Sequence, residues 1–190
     1  MSNDDDIKVI DQVLEGDIES FSAIIGKYQD MVFRYVYNQL NNYDEALDVT
    51  QEIFIMAIEA LASFRREAKF STWLYSIMVN YCKNYRKKNR RYNMVSMNVS
   101  RGEDEYEMQL PDTRENPEAD VVNADSLRIV KEEIAELPDD YREIVLMRDI
   151  EGLSYNEISD ILGIKLSNVK VRIHRGRELL KNRLHARGLI

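Results

Sequence analysis

Apolar side chains recur along this chain at the three-to-four spacing of a helix face. Residues 6–15 predict a short helix ended by Gly16. Asp17 is placed to cap the next helix, with Phe21, Ile24, Ile25 and Tyr28 as its buried side. The run 31–40, with Val32, Tyr35, Val36 and Gln39, continues as helix to the turn-like Asn41 and Asn42. Asp44 is the expected cap of a long helix reaching about Ala62, along which Leu47, Phe54, Ala57, Ile58 and Leu61 keep helical spacing. On that helix Asp44, Asp48 and Glu52 align at i, i+4 and i+8, a pattern that by itself describes ordinary solvated surface.

The stretch 64–91, FRREAKFSTWLYSIMVNYCKNYRKKNRR, predicts a helix opened by Ser71 or Thr72 and uninterrupted by Gly or Pro as far as Arg91. Leu74, Ile77, Met78, Tyr81 and Tyr85 share an apolar side suited to packing. Ser76, Asn80, Lys83, Lys87 and Arg91 fall on the other side, with Trp73 at its edge. Cations neutralise phosphates, and amides and aromatics read or stack on bases. Taken alone, the same pattern equally describes a solvated basic helix with its aromatics in the core.

From about 94 to 120 the periodicity breaks. MNVSRGEDEYEMQLPDTRENPEAD is polar and acidic and holds Pro111 and Pro117, which predicts a flexible acidic linker between two domains. Beyond it, Val122, Leu127, Val130, Ile134 and Leu137 suit a helix stopped before Pro138. A helix from Asp139 buries Ile144, Val145 and Met147 and closes at Gly152. Ser154 and Glu157 form a capping box for a helix with Ile158, Ile161 and Leu162 inward. Gly163 supplies the turn into a last helix, about 166–184, with Val169, Ile173 and Leu180 inward and Gly176 allowing a close approach. Helix, Gly-containing turn and second helix make a helix-turn-helix. On the last helix Ser167, Lys170, Val171 and His174 share an outward face flanked by Asn168, Arg172 and Arg175, the donors, cations and small apolar groups that suit a major groove.

Charge sharpens the picture. Net charge is −8, but residues 1–62 carry 3 basic and 13 acidic groups and 63–92 carry 9 and 1; 93–163 carry 6 and 19, and 164–190 carry 8 and 1. A chain that only coats nucleic acid would be basic overall. This one is suited to touch DNA in two places while its acidic parts avoid it or face a basic partner.

The 44% hydrophobic content supports packed cores, and only seven Gly and three Pro favour helices, so the expected fold is all-α, two small helical domains. Cys82 is the single cysteine, which excludes an internal disulfide and a Cys-rich zinc site and fits a reducing compartment. MSNDDDIKVI does not read as a signal peptide, and no apolar run reaches the roughly 20 residues of a membrane span, so a soluble cytoplasmic protein without membrane insertion is expected. His174 and His185 are the only histidines. Nothing resembles a Gly-rich phosphate loop, a zinc spacing or a nucleophile elbow, so no enzyme activity, metal or cofactor is expected.

Three stretches, DEALDVTQEIFIMAIEAL, FSTWLYSIMVNYCKNYRKKNRR and LPDDYREIVLMRDIEGLSYNEISDILGIKLSNVKVRIHRGRELL, in this order with an acidic linker, resemble the extracytoplasmic-function (ECF) sigma factors of bacterial RNA polymerase. The resemblance covers nearly the whole chain. It implies a region-two-like domain over 1–93, a linker over 94–120 threading toward the polymerase cleft, and a region-four-like domain over 121–190. It implies docking on core polymerase through Asp48, Gln51 and Glu52. Phe64 as a pocket wall and Asn80 as an edge-reading amide would capture a flipped minus-ten base, with Trp73 near the duplex fork and Lys83, Arg86 and Lys87 on adjoining phosphates. Ser167, Asn168, Lys170, Val171, His174 and Arg175 would read the minus-thirty-five element. The implied partners are core RNA polymerase, promoter DNA and an anti-sigma factor. One departure is Lys165, where the family commonly enters the recognition helix with Ser, Thr or Pro; Lys accepts no amide hydrogen there.

Two other classes compete. A stand-alone helix-turn-helix regulator would bind an operator by itself, often as a dimer, and fits poorly with the aromatic-basic helix and the separate first domain. A helical adaptor without DNA contact leaves both basic blocks unexplained.

Overall fold

The computed structural model describes residues 3–96 and 128–189, with side chains over 4–89 and 128–189. Among the described residues all regular structure is helical. The first domain holds α1 (Asn3–Leu14), α2 (Phe21–Leu40), α3 (Tyr43–Glu59) and α4 (Phe70–Ser96). The second holds α5 (128–135), α6 (Asp139–Val145), α7 (Tyr155–Leu162) and α8 (Leu166–Ala186).

Gly16, at φ 112°, ends the chain's first helical segment as expected. Asp17 caps a single 3-10 turn, Ile18–Ser20, rather than α2 itself: Ser20 Oγ donates to its carboxylate at 2.6 Å. The longer α2 then runs unbroken to Asn41, whose φ of 53° closes it. Ile24, Tyr28, Val32, Tyr35, Val36 and Gln39 make its buried side, whereas Ile25 is exposed, contrary to the sequence expectation. The cap of α3 is Asn42, not Asp44. Its side chain accepts the amide of Glu45 at 3.1 Å from an extended backbone, which a residue already inside the helix cannot do. Leu47 is also exposed; Ala46, Val49, Thr50, Ile53, Phe54 and Ala57 form the buried face. After Glu59 the chain tightens into a 3-10 turn, Leu61–Ser63, anchored by buried Leu61.

The fourth helix starts at Phe70, before the expected cap residues, and continues through Ser96, past the expected domain end at 93. Its buried stripe is Phe70, Leu74, Tyr75, Met78, Val79 and Cys82, while Ile77, Tyr81 and Tyr85 are half-buried. The stripe includes Tyr75, whose ring meets Tyr35 of α2 edge-on at 6.1 Å, and α4 packs against α2 and α3 and against α7 of the second domain. The rest of the expected linker, and the expected core positions Val122 and Leu127, lie outside the described residues.

In the second domain Ile134 and Leu137 are buried ahead of Pro138. Arg142, fully buried, bonds the carbonyl of Ala135 and the carboxylate of Asp139, which ties α5 to α6. Past Val145 the helix widens into a π turn, Leu146–Ile150, in which Glu151 N donates to Leu146 O at 2.9 Å. The capping box is present: Ser154 Oγ accepts Glu157 N at 3.2 Å, and the Glu157 carboxylate accepts Ser154 N at 2.9 Å. Gly163, at φ 62°, makes the turn between α7 and α8. Gly176 seats α8 on α6 so closely that a Cβ there would lie 2.9 Å from Val145 Cγ2.

Candidate nucleic-acid interface

The sequence-expected face of α8 is open. Ser167, Asn168, Lys170, Val171, His174 and Arg175 are all exposed, opposite the buried Val169, Ile173 and Gly176 that seat the helix. Val171 is 48% exposed, costly for an isopropyl group unless something covers it. The N-cap is Lys165, in extended conformation and with no side-chain bond to the first turn. A cation at the positive end of a helix is favoured only when an anion joins it.

The second face lies on α4. Asn80 is exposed and Trp73 half-buried, seven residues apart on one side of the helix, or about 10 Å along its axis. The preceding loop, 65–69, is exposed and carries Arg66 at φ 61°, paired with Asp11 of α1. Phe64, the first residue of the sequence-expected site, is packed into an aromatic cluster. It is 8% exposed, with its ring 5.6 Å from Phe70 and 5.4 Å from Trp73. Tyr28 extends the cluster, 5.6 Å from Phe70. Burying these rings together favours a fixed floor, on which Trp73 is the member that reaches the surface.

The cations on α4 meet the second domain. Lys83 Nζ lies 3.3 Å from Asp140 and 3.9 Å from Glu143, and Arg86 Nη1 lies 3.1 Å from Asp139. Ser76 Oγ donates to Ile161 O at 3.4 Å, and Lys69 lies 3.6 Å from Glu157. An open cavity of about 530 Å³ brings Lys83 together with Arg172 and Arg175 of α8 and with Asp139 and Asp140. Lys87 is exposed. These cross-domain contacts were invisible in the sequence, because periodicity shows which face of a helix is polar but not what stands opposite it.

A third surface is acidic. Asp48, Gln51 and Glu52 are exposed along α3, and Ile55, 50% exposed, stands one turn further on the same line. Leu47 and Met56, each 40% exposed, flank it. An apolar centre rimmed by carboxylates is the anatomy of a protein-binding patch. Ile55 escaped the sequence reading because its acidic neighbours marked the face as solvated. Beneath the patch Tyr85 donates to Glu45 at 3.3 Å, and burial raises the Tyr81 and Tyr85 pKa values. Among the described residues no cluster of His, Cys, Asp and Glu could hold a metal, and no helix is long and apolar enough to cross a membrane.

Residues 24–92 match the family described as Sigma-70 region 2, and residues 127–180 match Sigma-70, region 4. The chain is 38% identical over 179 residues to the ECF RNA polymerase sigma factor SigW of Bacillus subtilis, covering 93% of this chain and 95% of that protein. It is 34% identical over 177 residues to the ECF RNA polymerase sigma-E factor of Escherichia coli, covering 93% and 92%. In fold it is similar to the sigma factor RpoE in complex with the anti-sigma factor NepR from Bartonella quintana. That match has a TM-score of 0.68 at 21% identity and covers 88% of this chain and 98% of that one. It is also similar to CnrH in complex with the cytosolic domain of CnrY, with a TM-score of 0.66 at 22% identity over 94% and 96%.

Proposed function

Because the chain belongs to the ECF sigma factors, alternative sigma factors that direct promoter-specific transcription by RNA polymerase, we propose how its surfaces divide that work. The first domain, 1–93, docks on core polymerase through Asp48, Gln51, Glu52 and the apolar Ile55 one turn beyond them. The same domain engages the minus-ten element. Asn80 reads a base that has left the stack, Trp73 stands at the duplex fork over the aromatic floor that Phe64 completes, and Lys83, Arg86 and Lys87 hold phosphates. The second domain, 121–190, lays α8 in the major groove of the minus-thirty-five element. Lys170, His174 and Arg175 reach base edges or phosphates there, Val171 meets a methyl or sugar, and Ser167 and Asn168 lie at the helix start. The acidic segment after α4, as far as 120, is the linker between them. The protein works in the cytoplasm without catalytic residue or cofactor, and an anti-sigma factor is its third partner.

The observation that carries this reading is the pairing, in one chain, of an open basic-polar face on the second helix of a helix-turn-helix with an acidic-apolar patch on a separate helical domain. A stand-alone operator regulator has no use for the second. The test is retention on purified core polymerase, followed by promoter binding with Lys170→Ala and Arg175→Ala. Loss of a base-reading contact is expected to cost about 1–3 kcal/mol and relax preference at one position. Failure to join core polymerase, or an unchanged preference in both variants, sinks the assignment.

A further inference from the structure

We propose that Asp11 on α1 is a positioning residue for minus-ten base capture: through Arg66 it holds the loop 65–69 in the shape that completes the pocket beside Trp73 and Asn80, without touching DNA itself. The proposal rests on the reading of α4 as the minus-ten surface.

The loop is fixed at its ends and unsupported between them. Phe64 before it and Phe70 after it are buried, with ring centroids 5.6 Å apart. At its far end Lys69 O accepts Trp73 N at 3.2 Å, which brings the loop to the face that carries Asn80. Residues 65–68 are all exposed, and none lies in a helix or a hydrogen-bonded turn. Local bonding therefore does not choose their conformation. The conformation they hold is also one the chain resists. Arg66 has φ 61°, and a residue with a Cβ enters the left-handed region against steric pressure. Asn41, the other described non-Gly residue at positive φ, closes a helix, where an Asn is at ease; Arg66 has no such setting. What meets Arg66 is Asp11, whose carboxylate accepts Nη2 of the guanidinium. Asp11 is a firm post, because Ile10 and Val13 beside it on α1 are buried in the core.

The pair is modest. Its side chains are 46% and 45% exposed, and a solvated pair adds little to the stability of a fold. It suffices for a smaller task, choosing between conformations of a short loop whose ends are already held. A base that uses the pocket binds only the formed loop, so its apparent affinity falls with the fraction formed. A base that does not fit gains nothing from the loop and loses nothing with it. Loosening the loop therefore lowers discrimination at one position and leaves the rest of DNA binding in place.

The experiment measures promoter opening by holoenzyme assembled with the full chain, on DNA substituted one base at a time across the minus-ten element. The readout is the ratio of opening rates for the preferred and the substituted base, at the position where Asn80→Ala loses preference. A charge change that alters the hold on all sequences alike cancels in that ratio. Circular dichroism checks the helices. Asp11→Arg and Arg66→Asp are each expected to shrink the ratio by about two- to fivefold, the scale of a solvated pair. The swapped Asp11→Arg/Arg66→Asp chain rebuilds the pair and should regain the ratio, since Asp tolerates the left-handed region. An intact ratio in Asp11→Arg overturns the positioning role. A ratio lost in both Arg66→Asp and the swapped chain makes Arg66 a direct DNA contact and overturns it too. Preference intact at every position in Asn80→Ala instead brings down the minus-ten reading, and the proposal with it.

Discussion

The carboxylate of Glu151, 1% exposed, accepts bonds from Nε and Nη2 of the Arg34 guanidinium in the other domain, at 3.1 and 2.7 Å. Glu151 sits at the end of the π turn that follows α6, and Arg34 on α2, 117 positions earlier in the chain. This bond ties the helix-turn-helix to the four-helix domain, so the exposed faces of α4 and α8 are held in one arrangement.

Acidity should strengthen that tie. Burial raises the Glu143 carboxyl from 4.5 to about 7. Lys83 and Arg86 on α4 pull it down, Asp140 and Asp139 on its own helix push it up, and Tyr35 and Cys82 of the first domain also face it. An acid whose pKa rises on closure holds a proton that the open form releases. Closure is thus favoured below about 7 and weakens as the pH climbs through that value. Scattering at pH 6 should give a smaller radius of gyration than at pH 8, and Glu143→Gln should remove the difference. A wild-type radius independent of pH would exclude Glu143 from the closure.

Lys165 offers a separation of stability from binding. With no side-chain cap, α8 leaves a first-turn amide that Ser would satisfy, for a gain of about 0.5–2 kcal/mol. Lys165→Ser should therefore raise the melting temperature of the chain and weaken its holoenzyme's hold on promoter DNA by removing a cation near phosphate. A variant no more stable than wild type, or one that binds promoter equally well, contradicts this view of the helix start.

Much of this was legible in the sequence where a local rule decides. The capping box at Ser154 and Glu157, the left-handed turn at Gly163 and the close approach at Gly176 all follow from neighbouring residues and stand as read. So does the outward face of α8, since one buried stripe fixes the opposite side. Where two elements compete, sequence reasoning slipped. Asn42 outcompetes Asp44 for the α3 cap by one favourable backbone conformation. The α4 stripe includes Tyr75, which packs on Tyr35 of α2, a contact between residues 40 positions apart that periodicity does not show. Glu143 and Glu151 could not be singled out, since their partners lie 60 or more positions away.

Charge reversal at Asp48 and Glu52 to Lys should lower affinity for core polymerase and leave the helical circular dichroism unchanged, because both side chains are exposed. Ile55→Ala should also weaken docking, by about 1–2 kcal/mol if the side chain is buried in the complex. Unaltered affinity in the charge-reversed chain would move the docking site elsewhere.

Asn80→Ala tests promoter opening apart from upstream binding. Asn80 is exposed and its loss leaves the core intact. On ordinary promoter DNA the variant holoenzyme should open fewer complexes by permanganate reactivity, and its sensitivity to one minus-ten base should shrink. On DNA already melted at that element the opening defect should largely vanish, while upstream affinity is retained on both. Equal opening and undiminished discrimination would remove Asn80 from the mechanism.

The most direct measurement is transcription reconstituted from purified core polymerase and genomic DNA, with and without this chain, with RNA 5′ ends mapped. The chain is expected to add a discrete set of start sites, each preceded by the same two sequence elements, and the Asp48→Lys/Glu52→Lys chain should add few of them. A map of start sites unchanged by the protein would contradict its action as a sigma factor.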